Sequence, residues 1–326
     1  MSTIPVLRLS DLLFYEMINL AKEHGKGYIN LGLGVNNGIR RFKEKWGVEG
    51  IMSFLNPDEK DLRMIWQVEK NKIKSYLAGT THLFPYSFKK SLNRLISNVD
   101  AIVLEAPVDE ANMKKVIDNG LNSKGMPSLY NALDDPTIIK INKELEFAFQ
   151  RYTPFLFSLN TISTGNIDWL STLIKELKPW MAFFNILAHY LRKRGWKHMM
   201  DVDAFKIAKK LGKDVYFLEK IEDHIDALDG IPFEKIVGFL KKIDEREECV
   251  EKFVDCYTKG YFVELISTVN SFPMHCPSVI DKRDPILYER MKAFLEKGDS
   301  IILVGVMHIP GIQKLLLDDG YKVEKI

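Results

Sequence analysis

The chain is poor in cysteine, with only Cys249, Cys256 and Cys276 among 326 residues. An odd set without metal-finger spacing excludes a disulfide framework and a cysteine-based zinc module, and it suits a reducing compartment. No charge of one sign dominates: 46 basic residues face 44 acidic ones, for a net charge of +2. That balance removes the electrostatic case for nucleic acid or an anionic membrane as partner. The basic clusters Lys89-Lys90 and Arg192-Lys193-Arg194 are read as solvated helix faces. Long apolar runs are missing too; Trp180 to Leu191 contains Asn185 and His189 and is too short to span a bilayer. The first thirty residues lack the basic start, apolar middle and small-residue cleavage site of a secretory signal, so a soluble, cytoplasmic protein is expected. What is present is 46% hydrophobic residues, enough for the core of one large domain or two ordinary ones.

Helical periodicity over residues 9 to 24, with Leu12, Leu13, Met17, Ile18 and Leu20 on one stripe, stops at Gly25. A short strand from Tyr28 to Leu33 then runs into glycines. In Gly32-Leu33-Gly34-Val35-Asn36-Asn37-Gly38 the third glycine falls one place late for a dinucleotide fingerprint, and no acidic residue follows a second strand at the usual distance. From Asn71 the pattern is strand (Ser75 to Ala78), helix (Ser87 to Asn98), strand (Ala101 to Glu105), a βαβ unit. Residues 110 to 210 read as mostly helical. A strand from Asp214 to Leu218, helices over roughly 222 to 262, a helix from Pro285 to Glu296, a strand from Ser300 to Val304, a short helix after His308 and a last strand from Tyr321 to Lys325 complete the chain. The expected fold is α/β, with a mixed or mostly parallel central sheet, flanking helices and a large helical insertion at about 110–210. The expected organisation is a helix-strand segment at 1–65 followed by one domain at 66–326.

Within this pattern Gly-x-x-His occurs twice at the end of an apolar strand, as Gly79-Thr80-Thr81-His82 and as Gly305-Val306-Met307-His308. Both are followed by an apolar residue, a nearby proline and a helix, which suggests an internal pseudo-repeat of two strand-GxxH-helix units. The spelling alone is weak, since twenty glycines and seven histidines give roughly 0.4 matches by chance. A third copy, Gly195-Trp196-Lys197-His198, follows a basic helical stretch and no strand, and is read as a loop with a solvated histidine.

The helix between the strands leading to His82 and to Glu105 is a crossover, so those strands should be parallel, with both side chains at one carboxyl edge. If the strands are adjacent their ends lie roughly 5 Å apart. Glu105 ends the run Ala101-Ile102-Val103-Leu104, and Glu219 ends Val215-Tyr216-Phe217-Leu218 in the same way. His82, Glu105, Glu219 and His308 would then line the edge where open α/β sheets place ligands. Two histidines and one or two carboxylates suit Mn²⁺, Fe²⁺, Co²⁺ or Zn²⁺ with positions left for water and substrate. A metal-bound water and an unligated carboxylate would make a hydrolase. Arg283 is the candidate for stabilising an oxyanion; a surface ion pair with Asp281 or Asp284 is the plain alternative.

Taken in order, these residues resemble the TraB/PrgY/GumN family, which includes the Tiki metalloproteases, over roughly residues 70 to 326. Tyr76-Leu77-Ala78-Gly79-Thr80-Thr81-His82 is similar to the family's first Gly-x-x-His, and Val103-Leu104-Glu105 to its strand glutamate. Asp201, Ala208, Gly212-Lys213 and Leu218-Glu219 resemble its middle stretch, and Leu228-Asp229-Gly230-Ile231-Pro232 a family turn. Arg283 takes the place of the arginine in an Arg-Asn pair, with Asp284 where many members have Asn, and His224 lies where Gln is common. Val304 to Gly311 resembles the second Gly-x-x-His, and Gly320-Tyr321-Lys322-Val323 also fits. At the other end, Ile29 to Gly34 with Phe42 to Gly47 resembles the tail of a FemAB-like acyltransferase, in some sixty residues that cannot hold that fold.

The resemblance implies a metal-dependent hydrolase, with peptide cleavage as the activity of the Tiki branch. Together the readings lead to a peptide or small-amide hydrolase in which His82, Glu105 and His308 bind a divalent metal, Glu219 is general base or fourth ligand, and Arg283 stabilises the oxyanion. Two alternatives stand beside it: a non-enzymatic module that sequesters a peptide in the same cleft, and an esterase resembling erythromycin esterase-like proteins. The sequence leaves the oligomeric state open.

Overall fold

A computed structural model describes residues 9–26, 58–121, 127–152 and 168–326. The chain forms two compact units, Met1–Pro57 and Asp58–Ile326. In the first, the expected helix runs Leu9–Glu23 and ends at Gly25, whose φ of +62° is a conformation that glycine adopts without strain. The expected strand Tyr28 to Leu33, the glycine-rich loop and the FemAB-like stretch lie outside the described residues.

The second unit is built on a six-stranded sheet: β1 (Ile65–Lys70), β2 (Ile73–Thr80), β3 (Ala101–Leu104), β4 (Asp214–Phe217), β5 (Ser300–Gly305) and β6 (Lys322–Lys325), in spatial order β4-β3-β5-β2-β1-β6. β4, β3, β5 and β2 are parallel, while β1 runs antiparallel to both of its neighbours. β1 and β2 form a hairpin whose turn residues Asn71 and Lys72 both have positive φ, as a two-residue connection matched to strand twist requires. This hairpin was not foreseen in the sequence.

β3 and β5 are buried along their lengths, except that Gly305 is half-buried, because helices cover both faces. Their unbroken apolar runs satisfy that environment. β4 and β6 are the edges and are correspondingly exposed. Helices Lys89–Ser97 and Met200–Lys210 pack on each other, the latter also against β3 and β4. Helix Arg283–Lys297 lies against β1, β2 and β5, and helix Ile309–Asp318 lies against β6. From 110 to 210 the described residues form helices at Glu110–Asn119, Asp135–Tyr152, Trp169–Ile174, Pro179–Lys193 and Met200–Lys210, with no strand among them. No helix among the described residues is long and apolar enough to cross a membrane.

The strand order corrects one expectation. β2 and β3 are parallel, but they are not neighbours, because β5 inserts between them. A crossover helix fixes the relative direction of two strands without fixing how many strands lie between them. The two Gly-x-x-His units therefore sit on adjacent strands, staggered by one residue: Gly79 pairs with Val304, and Thr80 with Gly305.

Ile302, fully buried in the central strand β5, supports both neighbours. Truncation to alanine is expected to cost about 2–5 kcal/mol, seen in urea as a lower unfolding midpoint with an unchanged slope.

Candidate functional site

Four strands deliver one chemical group each to the carboxyl edge: β3 leads to Glu105, β4 to Glu219, β2 to His82 and β5 to His308. Glu105, Glu219 and His308 are all buried, which rules out a carboxylate at position 105 merely emerging into solvent. They converge on Arg283, the first residue of helix Arg283–Lys297 and itself buried. Nη2 of Arg283 donates to Oε1 of Glu105 at 2.6 Å and to Oε1 of Glu219 at 2.5 Å. Nε donates to Oε2 of Glu219 at 3.1 Å, and Nη1 to the Val279 carbonyl at 3.3 Å and to Nε2 of His308 at 3.2 Å. All five guanidinium N–H groups are thus committed. The surface ion pair with Asp281 or Asp284 is not formed.

Glu105 is held from its other side as well, since Oε2 accepts the backbone N–H of Gly305 at 2.6 Å. A Cβ at Gly305 would meet that oxygen at 3.3 Å and the His308 ring at 3.5 Å. This glycine therefore serves close approach; its φ of −51° and ψ of 135° are open to any residue. Burial alone would raise the Glu105 carboxyl, and the electrostatic attraction of the His308 ring, the Arg283 guanidinium, His224 and His82 holds it well below the usual carboxylate range. Burial also works against the Arg283 charge, but the charges and hydrogen bonds of Glu105 and Glu219 raise its affinity for the proton.

His82 differs from His308. Its side chain is 70% exposed, and its Nδ1 donates to Oδ2 of Asp201 at 2.8 Å. Surrounding protein disfavours its charge, but Asp201, through charge and hydrogen bond, and Glu105 outweigh that and push its pKa up to about 9. The strand end beneath it is pinned by Tyr257, whose hydroxyl donates to the Gly79 carbonyl at 2.6 Å. Phe84, two residues past His82, exchanges backbone hydrogen bonds with Lys197 and His198 and packs against Trp196. The third Gly-x-x-His is therefore a clamp on the first, and His198 is half-buried, not solvated. Asp201 begins one turn further on, in helix Met200–Lys210.

Three residues went unassigned in the sequence. Each of the three histidines has Nδ1 on a carboxylate: His82 on Asp201, His224 on Glu219 at 2.8 Å, and His308 on Asp284 at 2.6 Å. Asp201 and Asp284 read in sequence as ordinary acids in the first turn of a helix, where the helix dipole favours them. Their signal was the resemblance to the family, which placed Asp201 in its middle stretch and Asp284 where many members have Asn without giving either a role.

The donor set can be tested against a divalent ion. Four buried carboxylates (Glu105, Glu219, Asp201, Asp284) share the cluster with Arg283 and the protonated His82, leaving a surplus of negative charge. Nδ1-bound carboxylates are what metal-ligating histidines carry behind them. Nε2 of His308 and Oε1 of Glu105 stand 3.7 Å apart, and two atoms sharing an ion at about 2.1 Å each stand roughly 3–4 Å apart. Among the described residues Glu105, Glu219 and His224 also present ligand atoms within 4.8 Å of one another. Nη2 of Arg283 already lies within 3.3 Å of one atom from each. The donor chemistry fits a cation, and Arg283 fills part of that role by itself.

A carboxyl-edge cluster fed by two strand-ending Gly-x-x-His units and two strand-ending glutamates defines the class of protein. The sequence profile of the TraB/PrgY/gumN family matches residues 64–325, and the chain belongs to that family. No curated protein is similar enough to the chain to count as a match.

Two outcomes follow. Arg283→Ala leaves two buried carboxylates without their cation and is expected to cost about 3–5 kcal/mol in urea unfolding at neutral pH. Because Glu105 is held below its ordinary 4.5, the pairing contributes stability above that pH and loses it as pH falls further. The deficit of the variant should narrow on acidification. For His82, whose folded pKa of about 9 exceeds 6.5, the Asp201 pair contributes fully below pH 6.5 and is lost as pH rises through 9. In Asp201→Asn the His82 ring should titrate closer to 6.5 by NMR, and the stability difference from wild type should vanish above pH 9.

Proposed function

We propose that the cluster is the centre of a metal-dependent hydrolase that uses water to cleave a peptide or amide bond. The divalent ion, Mn, Co, Fe or Zn, would be held by His82, Glu105 and His308. The observation that carries the reading is the set of histidines fixed through Nδ1 at one sheet edge, each with Nε2 turned away from its carboxylate. When bound, the ion supplies an acidified water and polarises the scissile carbonyl. Loading requires Arg283 to release Glu105 and His308. Glu219 is the general base that takes a proton from the water and then gives it to the leaving amine, and His224, bonded to it and 20% exposed, positions it. Arg283, with the N–H groups released from Glu105 and His308, stabilises the oxyanion and still holds Glu219 in place. A cytoplasmic setting is proposed with it, since Cys249, Cys256 and Cys276 are all free thiols.

One observation favours a second reading, esterase chemistry of the kind found in erythromycin esterase-like proteins. Arg283 supplies the cation at Glu105 and Glu219, and the exposed His82, held protonated by Asp201 behind it, can give a proton from Nε2 to the leaving oxygen.

Metal analysis and a panel of peptides, amides and esters separate the two. The metal reading expects the purified chain to retain Mn, Co, Fe or Zn, or to gain thermal stability when one is added, and expects His82→Ala to lose both metal and hydrolysis. Full metal occupancy in that variant would sink the ligand assignment. Ester cleavage insensitive to chelator would replace the metal reading by the second.

A further inference from the structure

We propose that Asp284 is a positioning residue for His308, and that residue 311 is glycine because the Asp284 carboxylate fills the space a side chain would need. The inference rests on the reading of His308 as a working group of the site.

Asp284 is buried at the start of helix Arg283–Lys297, next to Arg283 in sequence. The two neighbours divide the His308 ring between them: Arg283 Nη1 donates to Nε2 at 3.2 Å, and Oδ1 of Asp284 accepts from Nδ1–H at 2.6 Å. His308 ends the short turn Val306–His308 and leads directly into helix Ile309–Asp318. A ring held at both nitrogens in that position has one orientation and one tautomer.

The second carboxylate oxygen supplies an independent observation. A Cβ on Gly311 would lie 1.8 Å from Oδ2 of Asp284 and 2.8 Å from Cγ, both closer than real Cβ contacts, and 3.2 Å from Cβ. Gly311 is not among the positive-φ residues, so its backbone does not require glycine. Alanine would favour the helix over glycine. The carboxylate is what forbids it. Gly311 also lies in the first turn of its helix, where unpaired N–H groups and the helix dipole favour a negative charge. Asp284 is thereby wedged between the helix end and the ring, and cannot turn away from His308 without leaving that end.

Proton NMR of the full chain reads this directly. Wild type is expected to show a downfield, slowly exchanging imidazole N–H resonance that His308→Gln removes. Gly311→Ala and Asp284→Ala should lose it, whereas Asp284→Asn should keep it, because an amide oxygen can accept the same hydrogen bond. Metal retention and hydrolysis should fall about 10- to 100-fold in the first two variants and recover in the third. Persistence of the resonance in Asp284→Ala or Gly311→Ala, its absence from wild type, or equal loss in Asp284→Asn and Asp284→Ala would each overturn the proposal. If Gly311→Ala fails to fold, the two Asp284 variants decide. A wild type that shows the resonance, responds as expected to these variants and yet binds no metal and cleaves nothing would refute the hydrolase reading while leaving the positioning intact.

Discussion

Arg283 and its two glutamates set the terms for everything around them. A guanidinium can be buried only where its donors are met and its charge is opposed. Glu105 and Glu219 do both, and they come from the ends of two strands separated by more than a hundred residues. The same two carboxylates could not be buried facing each other without a cation between them. Packing alone would favour an apolar core at this point, since replacing buried ion pairs by hydrophobic residues of similar volume is often neutral or stabilising. The cluster is therefore a concession of stability by the fold at the edge where α/β sheets place ligands.

The strand order makes that concession possible. With β5 between β3 and β2, His308 and the Gly305 amide reach Glu105 from the neighbouring strand, and β4 brings Glu219 from the far side. Arg283 and Asp284 enter from above, on the helix that leads into β5. Rigid parallel strands hold the donors, and helix starts hold the partners. Glu105, Glu219 and His308 are thus each held from more than one side.

How much of this was legible in the sequence depended on whether the signal was local. An apolar run that stops at a Glu or at Gly-x-x-His is contained in six to eight residues, so β2, β3, β4 and β5 and the groups they deliver could be read directly. Neighbour relations were not local. Nothing between residues 75 and 105 says that a strand from residue 300 lies inside that βαβ unit. β1 was missed because its apolar residues Ile65, Trp66 and Val68 do not alternate strictly and are followed by Glu69 and Lys70, so the strand owes its place to the hairpin with β2 and to the pairing with β6. Asp201, His224 and Asp284 look like ordinary residues at the starts of helices, and they acquire a role only through partners 119, 5 and 24 residues away. The Gly195-Trp196-Lys197-His198 loop was discounted for lack of a strand, and its value proved to be structural: it clamps the residue two places beyond His82.

The two strand-ending histidines also differ in a way that their shared spelling conceals. His308 is held at both nitrogens and buried. His82 is open to solvent, with one nitrogen fixed and the other free, and the carboxylates near it favour its protonated form. His82 is thus the exposed member of the pair and His308 the buried one. The pseudo-repeat yields two unlike halves because a helix follows one histidine at once and the other only after the Phe84 clamp.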